Sequence, residues 1–490
     1  MKAYQTLIFL CSVLLLVVGI CLFFPEDGVE VFGKKLKFPT LVEAMSKKNK
    51  DTESADEKIA RTEEELKLKV EQDSLINALN ADSLLYVDTL KSYHKLIYET
   101  TARIECPNND VSILYPLFDA LDRCAKGKES IHILHYGDSQ IEQDRITGYI
   151  REGLQTRFGG YGAGLVPIVQ PIPSLSVEQS VSDSLPRYIA DGTMRHKLSS
   201  DRYGILAQVA ELNGRTVKIK MASRNWKQTF SHVRKFSKVS LFVGNTDDNF
   251  SVTFSYSGKD STITKSKADP DLSIMTWQLD DYIKKFSLTV SGKGELYAVE
   301  MGSRSGVFVS NIPLRGSSGT YFTKISSHLL SSTMSALDTR LIILEFGGNS
   351  TPYFKNDNSV EHYKKNISRQ IAYLRKIYPS AAILFIGPAD MSTRIDGELQ
   401  TYPYLEKAVQ ALREAAMENG AMFWSMYEVM GGKNSMLKWV DHSPAWAGSD
   451  YVHFTERGAN RIAEVFLQSF LNTYDYYNFL RRNERWSGIK

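Results

Sequence analysis

Cysteine is scarce in this 490-residue sequence, and no pattern typical of a metal site is present. Two of the four cysteines, Cys11 and Cys21, lie in an apolar N-terminal run. The other two, Cys106 and Cys124, could form a disulfide in an oxidising compartment or remain as buried thiols, and the sequence leaves both alternatives open. Because Cys-x-x-Cys, His-Glu-x-x-His and clustered histidines are all absent, the sequence gives no reason to expect a metal.

An excess of charge of either sign is also lacking. Lysine and arginine number 59 against 56 aspartates and glutamates, which gives a net charge of +3. No basic tract with interleaved aromatic residues occurs, so nucleic acid is not an expected partner. An apolar fraction of 43% against 23% charged residues is typical of a globular chain with a sizeable core, and the length allows two to three domains. The composition carries no information on oligomeric state.

The first 24 residues predict a membrane anchor. Leu7–Phe24 is an uninterrupted apolar run preceded by Lys2, and it is just long enough to cross a hydrocarbon core of about 30 Å as a helix. A cleaved signal peptide is the alternative, but the small-residue cleavage site that it requires is missing. We therefore expect residues 1–24 to stay attached and the bulk of the protein to face the exported, periplasmic or extracellular, side. Because Lys47–Leu79 is dense in charge, we expect residues 25–105 to form a stalk that is helical or partly disordered.

One stretch near residue 140 combines a buried strand with a candidate nucleophile. His132–Arg145 has the sequence HILHYGDSQIEQDR, in which an apolar run ends at a Gly-Asp-Ser triplet and Asp144 opens an amphipathic helix. Ser139 therefore lies at a strand end, where open parallel α/β sheets bind their ligands. The alternative is a plain turn in which Asp138 or Ser139 caps the helix. His135 lies inside the strand, so we interpret it as structural rather than as a base.

A second candidate site lies near the other end of the chain. In Ser449–Ala459, with the sequence SDYVHFTERGA, Asp450 and His453 are three residues apart and directly precede a helical pattern. At this spacing the carboxylate can orient the imidazole while the imidazole accepts a proton from a hydroxyl. A capping aspartate beside an unrelated loop histidine is the alternative.

Two further motifs lie between these sites. Ser310–Gly319 reads SNIPLRGSSG, and Leu341–Ser350 reads LIILEFGGNS, an apolar strand that ends at Gly-Gly-Asn. Together with the Gly-Asp-Ser and Asp-x-x-His motifs they form an ordered set of four blocks. This set resembles the SGNH (GDSL-type) hydrolase family, and the resemblance covers roughly half of the chain.

The resemblance implies a fold and a set of site residues. The fold would be α/β, with a flavodoxin-like, three-layer arrangement around a parallel sheet. The catalytic residues would be Ser139, Asp450 and His453. The oxyanion hole would consist of the backbone amides of Ser139 and Gly316 and the side-chain amide of Asn349. Because water completes the reaction cycle, no cofactor is expected.

The pattern changes between Ser174 and Glu300. Short alternating runs such as VKIKMA and FSVTFSY are separated by Gly, Asn, Asp and Ser, which predicts an antiparallel β-sandwich. This layout resembles the peptidoglycan O-acetylesterase branch of the SGNH family, in which a carbohydrate-binding-like β-domain is inserted at the same place. Trp226 and Trp277 could stack on sugars or belong to the core of this domain.

Beyond the insertion, helical and apolar strand patterns alternate again. Helices are predicted at Ser359–Tyr378 and Tyr404–Asn419, and strands at Ala381–Gly387 and Ala421–Met426. The predicted domains are a hydrolase domain at 106–173 and 301–475, an inserted domain at 174–300 and a C-terminal tail at 476–490.

These observations predict a membrane-anchored, exported serine esterase. It would remove O-acetyl or other short acyl groups from a cell-envelope or dietary polysaccharide, with peptidoglycan included, through an acyl-serine intermediate. Two alternatives stay open: an O-acyltransferase that uses the same triad, and a non-catalytic glycan-binding protein on the same scaffold. A Ser-Lys hydrolase built on Ser435 and Lys438 fits the required spacing, but that pair lies in a loop-like stretch.

Overall fold

The computed structural model describes residues 84–191 and 197–483, together with residues 12, 13, 15, 18, 19, 22, 29–31 and 34–36. The chain divides into two units, Met1–Asp88 and Thr89–Lys490. The predicted anchor lies mostly outside the described residues, and the charged segment Lys47–Leu79 lies entirely outside them. Among the residues that are described, no helix is both long enough and apolar enough to cross a membrane.

The strands are numbered along the described chain as β1 Val29–Val31, β2 Lys34–Leu36, β3 Ser130–Gly137, β4 Gly164–Val166, β5 Val177–Val181, β6 Arg187–Ile189, β7 Gln208–Ser223, β8 Phe236–Gly244, β9 Ser251–Tyr256, β10 Lys259–Thr264, β11 Ser273–Ile283, β12 Lys285–Gly302, β13 Gly306–Pro313, β14 Thr339–Glu345, β15 Ala382–Ile386, β16 Ser392–Ile395, β17 Glu398–Thr401 and β18 Met422–Trp424. The α-helices from residue 115 onward are α1 Tyr115–Ala125, α2 Thr147–Phe158, α3 Ser327–Ala336, α4 Asp357–Ile377, α5 Leu405–Glu418, α6 Met426–Met430, α7 Ser435–Asp441 and α8 Glu456–Arg482. Within the first unit, β1 and β2 form an antiparallel pair.

The second unit is built on a five-stranded parallel sheet with the strand order β13-β3-β14-β15-β18. Counted along the chain within this sheet, the order is 2-1-3-4-5, which is the flavodoxin-like arrangement. The order reverses between β3 and β14, so the carboxyl ends of these two strands flank a crevice at the topological switch point. The predicted α/β class with a parallel sheet is confirmed.

Alternating side chains place this sheet between two helical layers. In β3, Leu134 and Tyr136 pack into one core, and Ile131 and Ile133 pack into the other, because successive side chains of a strand point to opposite faces. Helices α3, α4 and α5 cover the first face, and α1, α2 and α8 cover the second. Burial on both faces explains why these strands are continuous apolar runs in the sequence.

Strands β4 to β12 form the inserted antiparallel sheet. Its long strand β12 pairs with β7 and β9 along its first part and with β8 and β4 along its second part. The nine described strands therefore belong to one continuous sheet around one apolar core. The antiparallel prediction is confirmed, but the two layers of the expected sandwich are joined through β12. Trp277 stacks on Phe254 inside this core, with ring centroids 5.0 Å apart, whereas Trp226 is 46% exposed.

Three predicted domain boundaries lie elsewhere in the structure. The inserted sheet begins at Gly164, before the predicted start at residue 174, because β4 pairs with β12. Packing within the second unit begins before residue 106, since Ile97 is buried in the second core and the ring of Tyr93 lies 5.3 Å from that of Phe479 on α8. Helix α8 continues to Arg482, so the boundary predicted at residue 475 lies inside a helix. That helix is held to α1 by Arg481, whose guanidinium lies 2.8 Å from the Asp122 carboxylate.

Cys106 and Cys124 are free, buried thiols, so the disulfide is not the alternative that forms. The thiol of Cys106 lies 3.9 Å from Ile104 O, and that of Cys124 lies 3.6 Å from Gly306 O. Burial raises the pKa of both thiols to about 12. Both side chains therefore stay protonated and unreactive at neutral pH.

A buried ion pair closes the loop that follows β3. The sequence predicts that Asp144 opens a helix, but Ser139–Asp144 is a short 3-10 segment and α2 begins only at Thr147. The Asp144 carboxylate instead accepts hydrogen bonds from both terminal nitrogens of Arg151, at 2.6 and 2.9 Å, and both side chains are at most 2% exposed. The hydroxyl of Ser176, in the segment that leads into β5, donates to the same carboxylate. Helical propensity at Asp144 has therefore been overridden by a tertiary contact.

Replacing Arg151 with methionine should lower the free energy of unfolding by about 3–5 kcal/mol, because the Asp144 carboxylate would be left buried without a counter-charge. Arg157→Met on the same helix is the matched control, since Arg157 is 51% exposed in its pair with Asp475 and exposed pairs contribute about 0–1 kcal/mol. Urea unfolding followed by circular dichroism measures both variants. Equal losses in the two would contradict the role assigned to the buried pair.

Candidate active site

The predicted serine block lies where β3 ends in the crevice beside β14. Asp138 and Ser139 directly follow Gly137, the last residue of the strand. The Asp138 carboxylate accepts a hydrogen bond from Gln140 N at 2.9 Å, which closes the turn. A side chain at Gly137 would be crowded, since an added Cβ would lie 2.9 Å from Ile141 Cδ1 and 3.2 Å from Glu345 O on β14. Ser139 is thereby presented at the carboxyl end of β3.

Ser139, His453 and Asp450 form a continuous chain of hydrogen bonds. The Ser139 hydroxyl lies 2.8 Å from His453 Nε2, and His453 Nδ1 lies 2.7 Å from Asp450 Oδ2. Asp450 Oδ1 also accepts the backbone N–H groups of Val452 and His453, at 3.1 and 3.0 Å. When the Nδ1–H is donated to the carboxylate, Nε2 is free to accept the serine proton. The geometry is that of a nucleophile, a base and a group that orients the base.

The Asp450 carboxylate is held in its charged form. Burial acts to raise its pKa, but the hydrogen bonds from the His453 side chain and from the two backbone amides outweigh burial, and the pKa lies below its ordinary value. An ionised partner stabilises the imidazolium that forms when His453 takes up a proton. The side chains of His453 and Asp450 are 39% and 53% exposed, so a substrate has access to the pair from solvent.

Asn349 reaches the same crevice from the end of β14. Its Nδ2 donates to Asp138 Oδ2 at 2.9 Å and to Ser317 O at 3.2 Å. Both amide hydrogens therefore already have protein acceptors, and one of them must be released before Nδ2 can bind an oxyanion. Gly316, with a φ of 76°, lies in the turn before Ser317 and is not among the residues that line the cavity at Ser139. The structure thus brings Asn349 to the site and leaves Gly316 outside the cavity lining, and the oxyanion role of both residues stays a prediction.

Asp138 is a buried acid beneath the site, at 4% exposed. Burial raises its pKa to about 7 and the Glu345 carboxylate adds to the rise, while the hydrogen bonds that Asp138 accepts act against it. Glu345 in turn bonds with His135 Nε2 at 3.0 Å, and the other ring nitrogen of His135 bonds with the Thr147 hydroxyl. His135 is fully buried, so it belongs to the polar support under the site and is not part of the chain from Ser139.

Gln140 and Arg145 join the serine loop to the histidine loop. Gln140 Nε2 donates to Val452 O at 2.7 Å, and Arg145 Nη1 donates to Phe454 O at 2.8 Å. Arg145 Nη2 also donates to Ser139 O at 2.9 Å. Neither residue is among those that the sequence predicts for the site. The available signal was weak, because it consisted only of two polar side chains within six positions of the candidate nucleophile.

A cavity of about 210 Å³ opens at Ser139. Its lining combines the polar residues Ser139, Asn349 and His453 with the apolar residues Phe346, Pro388, Met391, Met426 and Val452. Tyr353 also lines the cavity and is 76% exposed, at the end of a 3-10 turn that starts at Thr351. An exposed aromatic ring in this position offers a flat apolar surface to a ligand, and the sequence analysis did not identify it.

The remaining candidates lie apart from this chain of residues. Ser435 is buried with its hydroxyl 3.4 Å from Asp390, whereas Lys438 is exposed on the same helix. They therefore do not form a nucleophile and its base. Within residues 84–191 and 197–483, no three metal-binding side chains come together.

Comparison with known proteins gives matches among solved structures. No protein-family model matches the sequence, and no curated protein matches it. The structure of a peptidoglycan O-acetylesterase matches with a TM-score of 0.58 at 21% identity, over 74% of this chain and 96% of the other. A family two carbohydrate esterase from Cellvibrio japonicus matches with a TM-score of 0.25 at 9% identity, over 62% of this chain and 99% of the other. Est24, a carbohydrate acetylesterase from Sinorhizobium meliloti, matches with a TM-score of 0.25 at 13% identity, over 34% of this chain and 78% of the other.

The first of these likenesses shows a shared fold, and the other two are too distant to carry an argument. The match extends over nearly the whole of the other chain. The predicted α/β fold with an inserted antiparallel β-domain is therefore confirmed.

Asp138→Asn should change how stability depends on pH. Folding raises the pKa of Asp138 from 3.8 to about 7, so the folded state binds this proton more tightly than the unfolded chain does. The stability that follows is present below about pH 4 and is lost as pH rises through about 7. Because the variant lacks this titrating group, its free energy of unfolding relative to wild type should increase between about pH 4 and about pH 7, by at most about 1.4 kcal/mol per pH unit.

Urea unfolding at several pH values measures this difference. Asp248→Asn, at an exposed aspartate of the inserted domain, is the control and should show no such trend. A difference between Asp138→Asn and wild type that does not vary with pH would contradict the burial argument.

Proposed function

We propose that this protein is a serine esterase that removes O-acetyl or other short acyl groups from a glycan. The observation that carries the proposal is the chain of hydrogen bonds from Ser139 through His453 to Asp450 at the open end of the parallel sheet. The fold shared with a peptidoglycan O-acetylesterase supports the same reaction class.

In the proposed mechanism the Ser139 hydroxyl attacks the ester carbonyl carbon while His453 Nε2 takes its proton. The tetrahedral intermediate then expels the alcohol, which receives the proton from His453, and an acyl-serine remains. A water molecule, deprotonated by the same imidazole, attacks the acyl-serine and releases the free acid. Asp450 holds the imidazole in place and stabilises its charged form in both halves of the cycle.

The proposed oxyanion donors are the backbone N–H groups of Ser139 and Gly316 and the side-chain amide of Asn349. For Asn349 this requires that Nδ2 exchange its longer hydrogen bond, to Ser317 O, for one to the developing oxyanion. The exchange replaces a neutral acceptor with a charged one, and hydrogen bonds to charged groups are the stronger kind. Asn349 would then stabilise the transition state more than the ground state.

The cavity favours a small acyl group on a carbohydrate. Its volume of about 210 Å³ lies below the range of about 300–1,000 Å³ typical of sites for drug-sized ligands. The exposed ring of Tyr353 offers a sugar ring a surface to stack on. We infer an O-acylated polysaccharide or peptidoglycan as the substrate, with the short acyl chain held against the apolar part of the cavity.

Ser139→Ala and His453→Ala should each lower kcat/KM for p-nitrophenyl acetate and for an acetylated glycan by at least about 10³-fold. Because the two residues act as one unit, the double variant should be hardly worse than either single variant. Asp450→Asn should retain more activity than either. Asn349→Ala should lower kcat by roughly 10²–10³-fold, because one oxyanion donor is lost.

Ser435→Ala is the control, since Ser435 is the alternative nucleophile. A serine-directed organophosphonate should label wild type and Ser435→Ala at Ser139 and should leave Ser139→Ala unlabelled. Full activity in Ser139→Ala, or a label on another serine, would refute the mechanism. Measuring acetate release alongside acetyl transfer to an added glycan separates hydrolysis from acyl transfer, and absence of turnover on every acyl ester would favour a non-catalytic glycan-binding protein.

We further propose that Leu7–Phe24 anchors the protein in a membrane and that the esterase acts on the exported side. The support is the unbroken apolar run with no small-residue cleavage site. Mass spectrometry of the protein purified from its native membranes should find Leu7–Phe24 still attached, with the N-terminus before residue 7. Deletion of residues 1–24 should move the protein to the soluble fraction, whereas a mature N-terminus between residues 20 and 35 would refute the anchor.

A further inference from the structure

A second cavity, of about 390 Å³, lies where the inserted sheet packs against the hydrolase sheet. Its walls come from the loop after β3, from the end of β13 and from strands β4 to β7 of the inserted sheet. It is larger than the cavity at Ser139 and has no residue in common with it. We name it the Arg187 cavity, after an arginine of β6 that lines it.

Two acidic residues of the Arg187 cavity are paired with arginines of the same lining. Glu142 accepts hydrogen bonds from Arg315 at 2.8 and 2.5 Å. Asp144 accepts two from Arg151, as described above. Neither carboxylate is therefore available as a counter-ion to a further cation.

Asp191, at the edge of the cavity, also has its own partners. Its carboxylate accepts a hydrogen bond from the Ser317 hydroxyl at 2.6 Å and lies 3.8 Å from Lys324 Nζ. Burial lowers the pKa of the Arg187 guanidinium, and no described carboxylate acts against this effect.

Arg187 is thus a partly buried cation without an acidic partner in the described part of the chain. Its Nε donates to the neutral acceptor Gln208 Oε1 at 2.6 Å, and its two terminal nitrogens make no hydrogen bond with any described residue. A guanidinium with free terminal N–H groups presents a planar fork that matches the two oxygens of a carboxylate. A desolvated, unpaired charge is costly, so a carboxylate ligand would be bound with a gain in stability.

The Arg187 cavity lies at the same edge of the parallel sheet as Ser139. It sits over the carboxyl end of β13, the strand next to β3. Residues 138–140 line the cavity at Ser139 and residues 142–144 line the Arg187 cavity, so one short loop separates them. Because neighbouring strands lie about 4.8 Å apart, the two cavities open side by side at this edge of the sheet. A polymer held at Ser139 therefore has the reach to occupy both.

We propose that the Arg187 cavity binds a carboxylate group of the polymer whose acyl group is removed at Ser139. This inference rests on the proposed esterase function and adds a substrate class, acylated glycans that carry carboxylates on a sugar or on an attached peptide. Arg187 donates paired hydrogen bonds to the carboxylate, and the apolar lining, which includes Leu206 and Ile312, lowers the polarity around the pair and strengthens it.

The test compares the full-length protein with its Arg187→Gln variant on matched acetylated substrates. Acetylated polygalacturonate carries sugar carboxylates, and its methyl-esterified form has the same carboxylates masked. Acetylated peptidoglycan fragments carry peptide carboxylates, and p-nitrophenyl acetate has none. Relative to p-nitrophenyl acetate, the variant should show a KM raised about ten- to hundredfold on polygalacturonate or on peptidoglycan fragments. Which of the two responds identifies the source of the carboxylate.

Two further variants make the comparison specific. Arg215→Gln is the matched control, because Arg215 pairs with Asp183 on the exposed surface of the same sheet. Arg187→Lys should recover part of the loss, because it keeps the charge without the fork. An unchanged KM on both carboxylated substrates, or an equal rise on the methyl-esterified polymer, would overturn the proposal.

Binding distinguishes a failure of this inference from a failure of the esterase proposal. In titration calorimetry, non-acetylated oligogalacturonate or a non-acetylated peptidoglycan fragment should bind wild type, and Arg187→Gln should weaken that binding about ten- to hundredfold. If no ester is turned over but this Arg187-dependent binding is found, only the esterase proposal fails. If esters are turned over at Ser139 and neither ligand binds through Arg187, only the cavity assignment fails.

Discussion

The link between two loops that are distant in the sequence is the interaction on which the candidate site depends. Ser139 and His453 are separated by 314 positions, yet their side chains meet at 2.8 Å. Gln140 and Arg145 hold the two loops together through main-chain carbonyls of the histidine loop. Because the acceptors are backbone groups, the link determines the path of that loop and not merely one side chain. A displacement of about 1 Å would be enough to break the contact that proton transfer requires.

A buried polar network supports the serine loop from below. His135 on β3, Asn311 on β13, Glu345 on β14 and Thr147 on α2 are joined by hydrogen bonds of 2.8 to 3.0 Å. Buried polar groups are stable only when they are bonded, so the network requires these four elements to keep one relative arrangement. The carboxyl group of Asp138 interacts electrostatically with Glu345 of this network, and burial raises the pKa of Asp138 to about 7. Burial of these polar groups costs free energy, but their hydrogen bonds fix the position of the serine loop relative to the sheet.

The place of the insertion explains why it does not disturb the parallel sheet. It enters between β3 and β13, and β13 is the edge strand, so the chain can leave and return without separating two paired inner strands. The insertion is nevertheless attached by polar contacts: Leu165 N donates to the Ser310 hydroxyl at 3.0 Å, and the Ser176 hydroxyl donates to Asp144. The inserted domain is therefore a wall of the second cavity as well as an extension of the molecule.

Local pattern was sufficient for much of the fold. The helix predicted at Ser359–Tyr378 is found at Asp357–Ile377, and the strand predicted at Ala381–Gly387 is found at Ala382–Ile386. These elements are encoded in periodicity and turn chemistry over a few residues, which the sequence displays directly. Three of the four blocks were likewise readable because each is a strand end followed by small or polar residues, and the fourth directly precedes a helix.

Tertiary structure alone decided how distant groups pair. Asp144 has the sequence context of a helix start, but Arg151 and Ser176 compete for its carboxylate, and the helix begins later. The two expected layers of the insertion form one sheet, because β12 is long enough to pair with β7 in one layer and with β8 in the other. Nothing in the sequence distinguishes Arg187 from other arginines in strands. Only the folded structure shows that no described carboxylate pairs with its guanidinium. The sequence determined the elements because their causes are local, whereas charge pairing and hydrogen bonding between elements depend on distances that exist only once the chain has folded.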